Sequence, residues 1–400
     1  MSRTQSRGLT RVEVCVLIAC VGILLGLLVP AVNINGRPSQ SAFCQNNLKQ
    51  LALAAIQYQN SKGQFPGYAM EFGTYLAGES PTDPTDPEAI GSSLKSHRKI
   101  GPWAIALLPI LDAMPTYEVW TRDKFPVVTG GSRESPLSTG FAGNGFTVAA
   151  APNLSLFQCP SSPNLVGDHG RNSYIANNGL HSPSSLGRSP SSYSRQGESI
   201  TLDFARTMAV ANGVFNNKFA GLGRDGQPVS LGPNVTLNDF IDGQGHTALF
   251  SESLQAMPWH RAGFIDADDL VIQSEQDMVR YPWSSRYTTG MVWHREDPER
   301  SEDASIVAAV HWINGVDNDE SLLDLEMTPK NAHDLARPSS AHSEGVNMAF
   351  ADGSVRFIDQ TIDYRVYQAM LTPRGKQSDM PYRGEVQFNE RSVLPSAAVR

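Results

Sequence analysis

The stretch Gly8-Leu9-Thr10-Arg11-Val12-Glu13 opens directly onto an apolar run from Val14 to Val32, broken only by Gly22, Gly26 and Pro30. That run approaches the roughly 20 residues a helix needs to cross about 30 Å of hydrocarbon. Arg3, Arg7 and Arg11 all precede it, and basic residues hold their flank on the cytoplasmic side. The sequence therefore predicts a single-pass inner-membrane (cytoplasmic-membrane) protein, N-terminus cytoplasmic, with everything after residue 33 periplasmic or otherwise extracytoplasmic. A secretory signal peptide would need a shorter core and an A-x-A-like site, and Pro30-Ala31-Val32-Asn33-Ile34 offers none. Glu13 is the odd residue, because an acid at the edge of a membrane segment needs a partner. Cleavage after Gly8 would supply one, a free amine on Leu9 about one helical turn away.

Outward from the anchor, composition narrows the rest. The chain has 400 residues, 40% of them apolar, enough for a sizeable core. A net charge of −8 gives no basic footprint for nucleic acid. With 34 glycines, 26 prolines and only 18% charged residues, the exported part reads as loop-rich. Cys15 and Cys20 lie in the apolar run and read as small apolar residues. Cys44 and Cys159 lie beyond it, where a bridge and two separate thiols are both permitted.

Asn33-Ile34-Asn35-Gly36-Arg37-Pro38 is expected to break any continuous helix. A second helix, capped by Ser39 or Ser41, is predicted through Phe43, Leu48, Leu51, Ala54, Ala55 and Tyr58, with Gly63 as its stop. Trp103 to Leu111 reads as a short helix. Strands are expected at Asn153–Gln158, Ser173–Ala176, Thr207–Phe215 and His246–Glu252, between loops at 78–97, 128–153 and 181–200. Gly345–Ala351 and Ser354–Ile358 alternate about Asp352-Gly353, the strongest short-range hairpin signal. A two-residue loop would pair Phe350 with Val355 and Met348 with Phe357. The resulting division is a leader at 1–8, a membrane helix at 9–32, a helical stem at 33–62, an α+β domain at 63–372 and a weakly held tail at 373–400.

The opening segment resembles the cleavage and methylation segment of type IV pilins and pseudopilins. Gly8 falls on the cleavage glycine, Leu9 on the methylated residue, Thr10 on the usual threonine, Glu13 on the assembly glutamate and Pro30 on the mid-helix proline. Leu9 stands where phenylalanine is common, and Arg11 where an apolar residue is usual. Further motifs resemble a large planctomycete-type family of unknown function that carries such a leader and ends in a His-x9-Asp-Gly signature. They are Cys44-Gln45-Asn46-Asn47-Leu48, Trp103 with Leu107-Leu108-Pro109, Cys159-Pro160-Ser161, Ser173-Tyr174 with Asn177 and Gly179, Asn212-Gly213, Ile241-Asp242-Gly243, Glu252, and His342 with Asp352-Gly353. The resemblance implies a Cys44–Cys159 disulfide and a pilin-like fold, an antiparallel sheet packed on the N-terminal helix. It implies a subunit or minor component of a type II secretion or type IV pilus-like assembly. Its partners would be the membrane, a prepilin peptidase and other pilin-like subunits. The alternative is an anchored binding or adhesion module that uses the leader for export.

No catalytic constellation is expected. His342 and Asp352 are read as structural, and Asp317-Asn318-Asp319-Glu320 as a solvated acidic loop rather than a calcium loop, since Leu322 stands where glycine is needed. Gly221-Leu222-Gly223-Arg224-Asp225-Gly226 matches a dinucleotide fingerprint only formally, because Pro228 forbids the helix it needs. The nine histidines are scattered, and His260, His294 and His311 could converge in space only through the tertiary fold. The expectation is a non-enzyme without cofactor or metal.

Overall fold

In the computed structural model the described residues are 10–33, 36–76, 96–128, 145–162, 169–182, 191–195, 198–223, 226–265, 267–272, 280–296, 310–315 and 323–381. Helix α1 runs Arg11–Asn33 and α2 runs Gly36–Lys62; Gly36, Arg37 and Pro38, expected to break the helix, are helical, and residues 34 and 35 lie outside the described set. Side chains of α1 are described as far as Gly22, and among the described residues no helix is long and apolar enough to cross a membrane. Helix α2 begins before Ser39. Pro38 lies in its first turn, where a missing N–H costs nothing.

The buried stripe of α2 is Cys44, Leu48, Leu51, Ala52 and Ala55, the i, i+4, i+7 spacing of one helix face. Phe43, expected inside, is exposed, since the stripe is phased on its neighbour Cys44. Gly63 ends the helix with φ 71°, a left-handed conformation that favours glycine.

Beyond α2 come β1 (Met70–Tyr75), β2 (His97–Gly101), α3 (Trp103–Leu107), α4 (Met114–Thr121), β3 (Tyr174–Leu180), β4 (Ser191–Arg195) and β5 (Glu198–Leu202). They are followed by α5 (Phe204–Thr207), β6 (Ala248–Glu252), α6 (Ser285–Thr288), β7 (Gly290–Trp293), α7 (Ala332–Leu335), β8 (Gly345–Phe350), β9 (Val355–Asp359) and α8 (Tyr364–Leu371). The central sheet has the order β7-β3-β6-β8-β9; β1 pairs with β2, and β4 with β5.

Three expectations are corrected here. The central sheet is mixed, because β7 joins β3 in parallel. Ser155–Phe157 is a single tight helical turn rather than a strand. The 207–215 segment follows α5 as turns, because Asp203 caps that helix by accepting from the Arg206 N–H. Within the loop expected at 181–200, β4 and β5 form an antiparallel pair. Residues 373–381, expected as the start of the tail, are held by Asp379, which is 2% exposed and accepts from Arg206 at 2.9 Å and Asn212 at 2.8 Å. Residues 382–400 lie outside the described set.

Successive residues of β3 and β8 serve different cores. Tyr174, Ala176, Ala349 and Ala351 join the core that holds α2 and α3, whereas Ile175, Val346, Met348 and Phe350 join the core that holds α8. The sheet is thus a middle layer. On the α2 side Trp103 is fully buried among Phe157, Phe215 and Phe250, with its indole N–H donating to the Thr289 carbonyl at 3.0 Å. An aromatic placed this way dominates a core, since it buries about 150–250 Å² and still satisfies its donor.

The β8–β9 hairpin is present, but shifted by one residue from the predicted register. Val346 faces Ile358, Met348 faces Arg356 and Ala349 faces Val355. The connection has three residues, with Phe350 N–H donating to the Ser354 carbonyl and Gly353 at φ 80°. The Asp352 carboxylate accepts from the Ser354 N–H at 2.8 Å and from its hydroxyl at 2.6 Å, which fixes the longer turn. A one-residue slip exchanges faces, and a sheet buried on both sides accepts it. Asn347 thereby points to the α2 side.

Candidate functional site

The family-like motifs, far apart in sequence, meet where α2 crosses β6 and β8. Cys44 in α2 is bonded to Cys159, 115 positions away. The backbone N–H of Cys159 donates to the Ser173 hydroxyl at 3.0 Å, and the Tyr174 hydroxyl to the Cys44 carbonyl at 3.5 Å. Asn47, one turn along α2, donates to the carbonyls of Ser155 and Gln158, holding the loop that carries Cys159.

Glu252, the last residue of β6, is 2% exposed beside this bridge. Its carboxylate accepts the Asn347 N–H at 2.9 Å and the Asn347 side-chain amide at 3.1 and 3.2 Å. The His342 ring nitrogen Nε2 lies 3.1 Å from it. Gln45 then donates to Asn347 Oδ1 at 3.0 Å, closing the network back onto α2. Burying a carboxylate is costly unless its lone pairs are filled, and here one backbone and two side-chain groups fill them. Burial disfavours the charged form of His342, but the hydrogen bond and charge of Glu252 outweigh it, so its pKa lies above the ordinary value.

The Cys159 sulfur is 3.7 Å from Glu252 and 3.9 Å from His342. Cys44, Cys159, Glu252 and His342 bring four ligand-type atoms within 4.8 Å of one another. With the sulfurs bonded to each other, neither is a thiolate able to attack or to hold a metal. A cavity of about 10 Å³ adjoins Cys159, Glu252, Ser339 and Ser340, close to the room one water takes up. The arrangement is a closed, covalently stapled joint between helix and sheet.

The remaining predicted positions are dispersed. Gly8 and Leu9 lie outside the described residues, as do residues 317–320. Glu13 accepts from the Thr10 N–H at 2.7 Å and the Thr10 hydroxyl at 2.9 Å, a capping-box bond written in Thr10-x-x-Glu13. His342 and Asp352 share no partner: His342 belongs to Glu252, and Asp352 with Gly353 makes the hairpin turn. Gly223 N–H donates to the Gln227 carbonyl in a tight loop, with no strand before it or helix after it among the described residues. Two of the three named histidines, His294 and His311, come together, with ring centroids 4.2 Å apart. His260 instead packs against Phe146 and Trp259. Glu252 and Asn347 carry no local signature of a shared site.

Other family-like motifs are structural in a direct way. A Cβ on Gly213 would stand 2.4 Å from the Gly179 backbone, so the two chains approach as only glycine allows. Asn177 donates to the carbonyls of Ala248 and Leu371, tying β3 to β6 and to α8.

The fold and this joint define a class: a mixed-sheet α+β domain with its helix α2 stapled in by a disulfide. Residues 41–365 match the family model described as "Protein of unknown function (DUF1559)", SBP_bac_10, and the chain belongs to that family. No curated protein and no solved structure matches the chain.

Proposed function

We propose that this is a membrane-anchored, pseudopilin-like subunit whose head stands on the extracytoplasmic side of a secretion or pilus-type assembly. The observation that carries the reading is the Cys44–Cys159 bond, formed eleven residues past the end of α1. A disulfide belongs to an oxidising compartment, and the sequence of α1 is the apolar run itself. Together they favour an anchor followed at once by an exported domain.

In this reading the anchor does the assembling. The Thr10 cap gives Glu13 a partner within one chain, and cutting after Gly8 would add the Leu9 amine as a second, available to a neighbour. The proposed activity is association, without a chemical step. The size of the head and its loops support the second reading, an anchored binding or adhesion module.

Mass spectrometry of the mature N-terminus tests the first reading. A methylated Leu9 is expected, and an intact Met1 or a cut beyond Val32 overturns it. Glu13→Leu is expected to reduce crosslinking to pilin-like neighbours while membrane insertion persists. Unchanged association in that variant would favour the binding module.

A further inference from the structure

Four of the chain's nine histidines gather at one end of the central sheet. His181 follows β3 and His294 follows β7, so the parallel pairing of those strands sets them side by side. The His181 N–H donates to the Trp293 carbonyl at 2.8 Å, and the two rings stack with centroids 4.6 Å apart at 18°. His311 packs on His294, and His333 of α7 lies 5.4 Å from His181. One ligand atom from each of His294, His311 and Asp334 falls within 4.8 Å of the other two.

We propose that His294, His311 and Asp334 form a binding site for a divalent transition metal, zinc first among them.

Proton placement supports this. His311 Nε2 lies 2.7 Å from the Glu296 carboxylate, and His294 Nε2 lies 3.1 Å from the His333 carbonyl. Both partners accept hydrogen bonds, so in each neutral ring Nε2 carries the proton and Nδ1 keeps the lone pair. An imidazole that donates one N–H to a carboxylate or carbonyl and offers the other nitrogen is the usual form of a metal-ligating histidine. The supports are themselves fixed: Trp312 donates to Glu296 at 3.0 Å, the Tyr364 hydroxyl accepts the His294 backbone N–H at 2.9 Å, and Gln368 donates to the His294 and Glu296 backbone carbonyls.

Two imidazoles and one carboxylate are the ligand types zinc takes when it keeps a further position for water. They also suit iron(II) and manganese(II), with geometry and availability deciding among them. Ligand atoms about 2.0–2.2 Å from a tetrahedral ion stand roughly 3.3–3.5 Å apart. Separations within 4.8 Å therefore leave the site at most about 1.5 Å to close. Asp334 can supply that movement, since its side chain is 38% exposed. It must leave its 3.3 Å contact with His333 and act against the charge of Arg337, which also faces it.

The test uses the full-length chain in detergent with its disulfide intact, stripped by chelator and titrated with zinc ion alone. About one zinc per chain is expected, with a rise in Tm. Asp334→Asn and His294→Ala are expected to weaken binding at least about tenfold, and Glu296→Gln, which acts through His311, by about tenfold. His246→Ala, on an exposed histidine outside the cluster, should bind as the parent does. Cobalt substituted at the site should show d–d bands without a sulfur charge-transfer band. If His294→Ala does not fold, Asp334→Asn and the cobalt spectrum still decide. No zinc bound by the parent, unchanged binding in Asp334→Asn, or a thiolate–cobalt band would overturn the assignment.

Discussion

The joint at Glu252 and the histidine cluster at the ends of β3 and β7 are two buried polar groups on one sheet, built on opposite plans. At Glu252 a single anion, 2% exposed, takes three donor contacts from Asn347 and faces His342 beside a covalent bond. In the other group the rings come from four separate stretches and lean on each other's faces, while the carboxylates stand nearer the rim, Glu296 16% and Asp334 38% exposed by side chain. The first plan is saturated and holds the fold. The second leaves lone pairs for an added cation. Burial alone therefore does not separate a structural cluster from a binding one; the count of filled lone pairs does.

The sharpest way to break this contrast is to cut the staple. Replacing both Cys44 and Cys159 by alanine should cost about 4–5 kcal/mol, from loop closure over their separation, seen as a lower urea midpoint. Glu252→Leu should cost about 3 kcal/mol by stranding the donors of Asn347, whereas Glu296→Leu should cost about 1 kcal/mol in chelator because that group is less enclosed. Equal losses in urea melts would erase the distinction. Gly353→Ala should cost about 1–2 kcal/mol, since alanine resists the φ of 80° that sets the register of Asn347.

The smallest effect is in pH. His342 has a raised folded pKa, from the hydrogen bond and charge of Glu252 prevailing over burial. Its contribution is full below the unfolded value of about 6.5 and is lost as pH rises through the folded pKa. His260 is pushed well down by burial, then by Arg261 and His169. The unfolded chain then takes up its proton first, and stability falls as pH drops below about 6.5. Thermal melts should show both limbs, with His342→Gln flattening only the alkaline one.

Much of this was legible where chemistry is local. The helical stripe, the Gly63 stop and the Asp352-Gly353 turn all follow from neighbours in sequence. The hairpin register did not, because Asp-Gly serves a two- or a three-residue loop and alternation alone cannot choose when both faces are buried. The parallel partner of β7 lies in a distant stretch, so four residues of Gly-Met-Val-Trp gave no sign of it. Of the site, the Cys44–Cys159 pairing came from motif resemblance. The meeting of Glu252 with Asn347, and of His294 with His311, depends on tertiary placement that no spacing encodes.

The staple also sets a mechanical path. Tension applied to α1 would travel down α2 to Cys44 and there cross directly into Cys159, next to the turn that feeds β3. The 115-position span, with β1, β2, α3 and α4 inside it, would hang as a slack side loop while the bond is closed. Pulled by its N-terminal helix under oxidising conditions, the chain should stretch less before it ruptures than the same chain under reductant, by the contour length of that loop.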